Sequence, residues 1–574
     1  MCGIFGAITE KGLHSVDMDN AQASLRHRGP DGCGRRRFNA ACGNVLDLVH
    51  LRLAIIDLSA RSAQPMSYDN DNLHIVYNGE IYNHVELRQE LTGDGFEFKT
   101  RSDTEVILAS YKRWGRECVE HFNGDWAFCI FDKSNNRIFL SRDRLGVKPL
   151  YYCRNGQGFF FASEIKTLFK IPSVSRQWDN SVTGVFMLFG VSDFSKQTMY
   201  KGIYQLEPAN SMLLDMTSLK PQIHRYWDPG FNRSKEPLEA SKVSEYARNT
   251  GEILRDSVRL RLRSDVPVGT CLSGGIDSSA ITGIISALIK AHCRESDILK
   301  GRQMTFTAAY KDGGDIDETK WADTMIRHAN ACGEYVYPCK DGLSRDLELF
   351  LSTHDELSFS TSSYAQFSIM RRAARDVKVV LDGQGADELF AGYGSYRKNL
   401  LKMILSAAPG VFLRAAWRGK IRTIESMLGS RFDLNFALNV IREKYSLCLG
   451  ESLYNDTTRF NLQQLLRYED RNSMRFGIES RAPFTDYRLV EYALNMPPAY
   501  KIHNGWTKYI LRMSLKAHVP EQIIWRRDKI GFQTPEKDWL PGISGFNDFV
   551  QKYKVRYNGD YFWWRAFNLF KLKD

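Results

Sequence analysis

The chain opens Met-Cys-Gly-Ile-Phe-Gly, and a cysteine at position 2 can carry two catalytic groups on one residue. Once an initiator Met is removed, Cys2 holds a thiol and a free α-amine on the same carbon. The thiol attacks only as its thiolate, and an α-amine of pKa about 7.7–8.0 can act as the neighbouring base. A second chemistry is written in two glycine loops. Ser273-Gly274-Gly275-Ile276-Asp277-Ser278-Ser279 follows a short apolar run and precedes a helical pattern. Its glycines let backbone N–H groups approach a phosphate at a helix N-terminus, and its serines add hydroxyl donors. Asp277 alone would repel phosphate, so it implies Mg²⁺ between carboxylate and pyrophosphate. The spacing is not the GxxxxGK[ST] of γ-phosphate transfer, and the lysine of that loop is missing. The other loop, Asp382-Gly383-Gln384-Gly385-Ala386-Asp387-Glu388, follows Val379-Val380-Leu381. Asp387 is the natural second carboxylate for a metal beside Asp277.

Elements must bring these residues together. Residues 126–143 carry two apolar runs around Ser134-Asn135-Asn136, and 151–163 repeat the pattern around Asn155-Gly156-Gln157-Gly158. Both read as hairpins. Helical spacing occupies 84–91 and 104–114. Strand runs with helices set apart predict an α+β layered domain over residues 1–215. From 216 to 574 the pattern changes to short apolar strands at 266–272, 304–309 and 377–381, separated by long helical stretches. That alternation predicts parallel βαβ units, and ligands of parallel sheets bind at the carboxyl ends of strands. The segment from 398 to 574 reads as helix-dominated.

A length of 574 residues exceeds one hydrophobic core at about 150 residues per domain. With 43% hydrophobic and 25% charged residues, no apolar run of membrane-spanning length and no signal-like N-terminus, a soluble cytoplasmic protein is expected. Eleven sparse cysteines without a CxxC pair read as reduced thiols. The net charge of +11 is spread along the chain without nucleic-acid-binding spacing, so anionic small substrates are the expected partners.

SGGIDSS followed by DGQGADELFAGY resembles the pyrophosphate-loop domain of glutamine-hydrolysing asparagine synthetases. RNSMRFGIESRAPFTDYRLVEYALNMP (471–497), TKYILR (507–512) and WRRDKIGFQTP (525–535) are similar to later segments of that family, in the same order. The resemblance implies that a substrate carboxylate attacks the α-phosphate of ATP to give an acyl adenylate, from which ammonia displaces AMP. It also implies nucleotide contacts at Leu272, Ser273, Gly275, Asp277, Ser278, Asp382 and Gly383, an adenine contact at Ala308, and a charge-neutralising lysine at Lys508. Gln384 departs from the family pattern, which commonly has Glu or Asp at this position, linked to adenylate formation and to handling the amine. A carboxamide can orient and donate, but it cannot take a proton.

CGIFGAI, RHRGPDG (26–32), HLRLAIIDL (50–58), YNGEIYN (77–83) and RSDTE (101–105) resemble the same family's N-terminal-nucleophile glutaminase domain, with Leu51 where a second basic residue is common. The implied fold is an αββα layered domain. Thiolate attack on the carboxamide of glutamine makes an oxyanion, for which the Asn78 side chain and the Gly79 N–H are the implied donors. Arg52 would take the α-carboxylate bidentately, and Asp103 and Glu80 the α-ammonium. The expectation is a two-domain, ATP- and Mg²⁺-dependent ligase acting on glutamine, ATP and aspartate, a homodimer by family habit, without nucleic-acid or membrane partners. A relative amidating another carboxylate, such as a sugar uronic acid in surface-polysaccharide synthesis, keeps the mechanism and changes the acceptor. A β-lactam-forming relative would have no use for Cys2. An RNA-modifying enzyme would need an appended binding pattern, and a catalytically dead scaffold would not keep both sets of residues.

Overall fold

The computed structural model describes residues 2–40, 43–234, 236–310, 316–397, 417–446, 448–528, 531 and 533–573. The strands in chain order are β1 Gly3–Thr9, β2 Gly32–Asn39, β3 Val45–Arg52, β4 Met66–Tyr68, β5 Leu73–Ile81 and β6 Gly124–Asp132. They continue as β7 Arg137–Arg142, β8 Tyr151–Asn155, β9 Gly158–Ala162, β10 Ile203–Gln205, β11 Asn210–Asp215 and β12 Pro221–Arg225. The second half adds β13 Val268–Cys271, β14 Met304–Ala308, β15 Cys332–Val336, β16 Val379–Leu381 and β17 Glu479–Arg481.

The first twelve strands form two antiparallel six-stranded sheets, ordered β10-β8-β9-β1-β3-β2 and β12-β11-β7-β6-β5-β4. Alternate residues of each strand point inward, and Ile4, Leu48, Val76, Cys129, Leu140 and Phe161 fill the layer between the sheets. The outer face of one sheet is covered by the helix Ser15–Ser24, through Met18 and Ala21. Helices His84–Gly93 and Asp103–Trp114 cover the other through Leu87, Leu91 and Val106. The four layers are helix, sheet, sheet, helix. Both expected hairpins are present, as β6–β7 and β8–β9.

The third sheet is parallel throughout, ordered β15-β14-β13-β16-β17. The order reverses at β13: the chain moves outward to β14 and β15, then returns to pair β16 on the other side. That reversal opens a crevice at the carboxyl ends of β13 and β16, where the two glycine loops emerge. The helix Ile276–Lys290 buries Ile281, Ile284, Ile285 and Leu288 against the sheet. The described part of the last third is helical, as expected, apart from β17, which completes the parallel sheet.

Two features cross the expected division at 215. β12 pairs with β11, so the second sheet runs on to Arg225. The helix Asn180–Phe189 buries Val185 and Phe186 with Phe562, Trp564 and Phe567 of the C-terminal helix Tyr561–Lys573, joining the two halves in one core. Among the described residues, no helix is long and apolar enough to cross a membrane.

Candidate functional site

Cys2 lies immediately before β1 and is buried. Its backbone N–H donates to Asn78 Oδ1 at 2.9 Å, and its carbonyl accepts from Arg28 Nε at 3.0 Å. The thiol sits 3.9 Å from the Leu53 carbonyl oxygen. Burial pushes this thiol up, while the Arg52 guanidinium acts the other way. Asn78 and Gly79 are adjacent on β5, and the side chain of Asn78 is wholly buried. With Oδ1 engaged by Cys2, its Nδ2 has no hydrogen-bond partner among the described residues. An unsatisfied buried donor costs on the order of 1–3 kcal/mol, so an oxygen arriving beside Cys2 would relieve a standing penalty. That is what an oxyanion hole requires.

Arg52 ends β3, with Nη1 donating to the Ser59 carbonyl at 2.8 Å and Nη2 to that of Asp57 at 2.5 Å. Carbonyl partners orient the guanidinium without neutralising it. The Asp103 carboxylate accepts from Tyr77 Oη at 2.9 Å and from the Ile81 N–H at 3.0 Å. Glu80 is buried with Oε2 3.5 Å from Arg481 Nη2, and its Oε1 has no hydrogen-bond partner among the described residues. Burial, reinforced by Asp103, holds Glu80 well above the carboxylate range. A cation placed between the two would lower that cost.

In the crevice of the parallel sheet, the first loop is tied to its neighbours. The Leu272 N–H donates to the Phe306 carbonyl at 2.9 Å, and Thr307 Oγ1 to that of Leu272 at 2.6 Å. Ser278 Oγ accepts from the Ser273 N–H at 3.1 Å and lies 3.2 Å from Ser273 Oγ. Gly274 turns at φ +72°, and a Cβ there would stand 2.6 Å from Trp321 Cβ, so glycine is required. Gly275 caps the helix Ile276–Lys290, whose free N–H groups face the loop. Ala308 closes β14 beside this loop.

Lys508 joins the two loops. Its Nζ lies 2.6 and 2.7 Å from the Asp277 carboxylate oxygens and 2.6 Å from Asp387 Oδ1. Gly392 makes the approach possible, since a Cβ there would meet Asp387 Oδ1 at 1.8 Å and Lys508 Cε at 2.2 Å. Asp277 and Asp387 therefore reach one point, as carboxylates flanking a divalent cation would. No set of three or more His, Cys, Asp or Glu side chains forms a metal cage among the described residues. The pair fits Mg²⁺ only where phosphate oxygens complete its shell. Asp382 is held by the Arg481 carbonyl through its N–H at 2.9 Å, and burial raises its pKa. Gly383 packs against Asp277, and Gln384 follows it in the same loop, half-buried.

The structure thus groups Cys2 with Asn78 at one site, and Leu272, Ser273, Gly275, Asp277, Ser278, Asp382, Gly383, Asp387 and Lys508 at the other. Sequence reading missed Gly392, although the quoted AGY segment contains it. It also missed Arg526, whose Nη1 donates to the Gly274 carbonyl at 3.1 Å. Of the KIGF segment, Lys529, Ile530 and Phe532 lie outside the described residues.

Residues 1–227 match the family profile of the glutamine amidotransferase domain, and residues 249–553 that of asparagine synthase. Glutamine-hydrolysing asparagine synthetase 3 of Bacillus subtilis is 30% identical over 580 residues, covering 96% of this chain and 90% of that protein. Glutamine-hydrolysing asparagine synthetase 1 of the same organism is 27% identical, covering 96% and 89%. Amidase chry2 of Gibberella zeae is also 27% identical, covering 94% and 90%.

Proposed function

The chain belongs to the glutamine-hydrolysing asparagine synthetase family, and on that premise we propose that it makes asparagine from aspartate, glutamine and ATP. Residues 1 to about 227 act as the glutaminase and the remainder as the adenylating half. Cys2 attacks the carboxamide of glutamine, its own α-amine taking the thiol proton. Asn78 Nδ2 and the Gly79 N–H stabilise the oxyanion, Arg52 binds the α-carboxylate, and Glu80 with Asp103 receives the α-ammonium. Ammonia then passes within the molecule to the second crevice.

There Ser273, Gly275 and Ser278, with the amino end of the helix Ile276–Lys290, cradle the phosphates of ATP. Leu272, Ala308, Asp382 and Gly383 border the nucleoside. Lys508 neutralises charge that develops as the aspartate β-carboxylate attacks the α-phosphate. Asp277 and Asp387 would hold Mg²⁺, which when bound would supply further positive charge beside the pyrophosphate. Gln384 orients the reacting groups through hydrogen bonds and takes no proton. The enzyme acts as a soluble protein of the cytoplasm.

The observation that carries this reading is the convergence of Asp277, Asp387 and Lys508, from three separate segments, at the switch point of the parallel sheet. The test is release of glutamate and AMP from glutamine, ATP, Mg²⁺ and aspartate. Glutamate release without aspartate-dependent AMP would defeat it. A second reading, amidation of another carboxylate, draws on the family including a protein named amidase.

A further inference from the structure

A small cavity lies between the two halves, walled by Val147 and Lys148 from the first and by Glu469, Asp470, Ser480 and Ala482 from the second. It has ≈ 10 Å³ open to the centre of a water-sized molecule, room for one water or one ammonia. Asp470 separates the cavity from Arg28, which holds the Cys2 carbonyl. Glu469, in the same wall, lies close enough to Asp382 of the second glycine loop to feel its charge. The cavity therefore sits between the nucleophile and the adenylating crevice.

Glu469 is almost fully buried on the helix Asn461–Met474. Its Oε1 accepts the Ser480 hydroxyl, and its Oε2 has no partner among the described residues. Other acids near the crevice are engaged: Asp277 and Asp387 by Lys508, and Glu388 by the Tyr393 hydroxyl. Gln384 cannot accept a proton. Yet the nitrogen that displaces AMP must lose one.

We propose that Glu469 is the proton acceptor for the nitrogen nucleophile in amide formation. Ammonia from the cavity attacks the carbonyl carbon of the acyl adenylate and a C–N bond forms. The adduct nitrogen, positive with three hydrogens, gives one proton to Glu469 Oε2. The C–O bond to phosphate breaks, and AMP leaves with the electron pair. The proton on Glu469 must return to solvent before the next cycle. The inference rests on the proposed ligase function.

The groups facing Glu469 are Asp382 from the second glycine loop, Lys148 and Asp125 from the first half, Ser480 from β17, and Asp470 on its own helix. Burial, then the Asp382 charge, holds Glu469 well above the carboxylate range, with Ser480 and Lys148 opposing. A base raised in this way works nearer neutral pH and sets the acid limb of the synthetic rate.

Glu469→Gln keeps the volume and the Ser480 bond while removing basicity. Glutaminase turnover and ATP–pyrophosphate exchange are expected at wild-type rates. Glutamine-dependent amide formation should fall at least about tenfold, losing the acid limb of its pH profile, with partial rescue by Glu469→Asp. Wild-type amide synthesis in Glu469→Gln, an unchanged acid limb, or an equal fall in pyrophosphate exchange would overturn the assignment. A wild-type enzyme with neither glutaminase nor exchange activity would defeat the functional reading itself, and this inference with it.

Discussion

Arg28 and Asp470 meet across the two halves in a buried bidentate pair, with Nη1 to Oδ2 at 2.8 Å and Nη2 to Oδ1 at 2.9 Å. The same guanidinium donates to the Cys2 carbonyl and to Glu164 Oε1 at 2.8 Å. One side chain thus fixes Cys2 to a helix that also carries Asn472, bonded to Gln366 beside the second loop. Arg28→Ala would leave Asp470 and Glu164 buried with less compensation, a loss of about 3–5 kcal/mol. Urea unfolding should show that loss, and glutaminase activity should fall with it. An unchanged midpoint and rate would mean the pair is incidental.

Cys2→Ala is expected to abolish glutamine-dependent synthesis and leave synthesis from ammonium salts largely intact, because the two crevices carry separate chemistry. Mass spectrometry should find Met1 removed in active enzyme, and a preparation retaining it should share the defect. Glutamate release by Cys2→Ala would show that another group is the nucleophile.

Asp277→Asn and Asp387→Asn should each lower synthesis from either nitrogen source by about 10²-fold or more, with glutaminase preserved. Each leaves Lys508 one carboxylate short and weakens the point where pyrophosphate and Mg²⁺ would meet. Normal Mg²⁺ dependence and normal pyrophosphate release in both variants would contradict the assignment.

Lys501 gives a stability prediction away from both sites. It is fully buried, its Nζ has no partner among the described residues, and burial depresses its pKa to about 7. The unfolded value is about 10.4. Between these pH values the unfolded chain holds a proton that the folded chain lacks, so stability rises with pH across that window. Below about pH 7 the penalty is complete, and above the unfolded value it vanishes. Lys501→Met should therefore raise the melting temperature at pH 7 and lose that advantage near pH 10. Equal shifts at both pH values would mean that packing alone is responsible.

The local signals were legible. Glycine loops after apolar runs marked β13 and β16, and hairpin turns marked β6–β7 and β8–β9. Contacts between distant segments left no such trace. Nothing in the periodicity of residues 180–189 says that Phe186 packs against the C-terminal helix, because any apolar face would serve. Arg28 was visible within RHRGPDG, but its partner lies 442 positions away. The unpaired Nδ2 of Asn78 and the unpaired Oε2 of Glu469 exist only once neighbouring groups have been counted.

The acceptor is the remaining question, and the hydroxyl-rich segment 358–364 bears on it. By residue type alone, such hydroxyls suit the reading of a sugar acid as well as the spacing of an amino acid. In the fold, those of Ser358, Thr361, Ser363 and Tyr364 are engaged elsewhere. Ser358 Oγ accepts from Trp564 Nε1 at 3.0 Å and lies 3.4 Å from Asn568 Oδ1. Thr361 bonds Thr534 Oγ1 at 2.6 Å and takes Glu536 through its N–H at 2.7 Å. Ser363 Oγ donates to the Ser360 carbonyl at 2.9 Å, and Tyr364 Oη to Asp346 Oδ2 at 2.7 Å. Reading the hydroxyls of a sugar through this segment would first break bonds that hold buried polar groups, at about 1–3 kcal/mol each. Aspartate, with two carboxylates and one ammonium, asks instead for charged partners and leaves the segment intact. AMP release with glutamine, ATP and Mg²⁺ should therefore favour aspartate over hexuronates and their nucleotide conjugates by about 10²-fold or more in kcat/KM. A uronate turned over with a far higher kcat/KM than aspartate would remove asparagine as the product. It would leave the glutaminase and adenylating chemistry standing, because neither depends on the acceptor side chain.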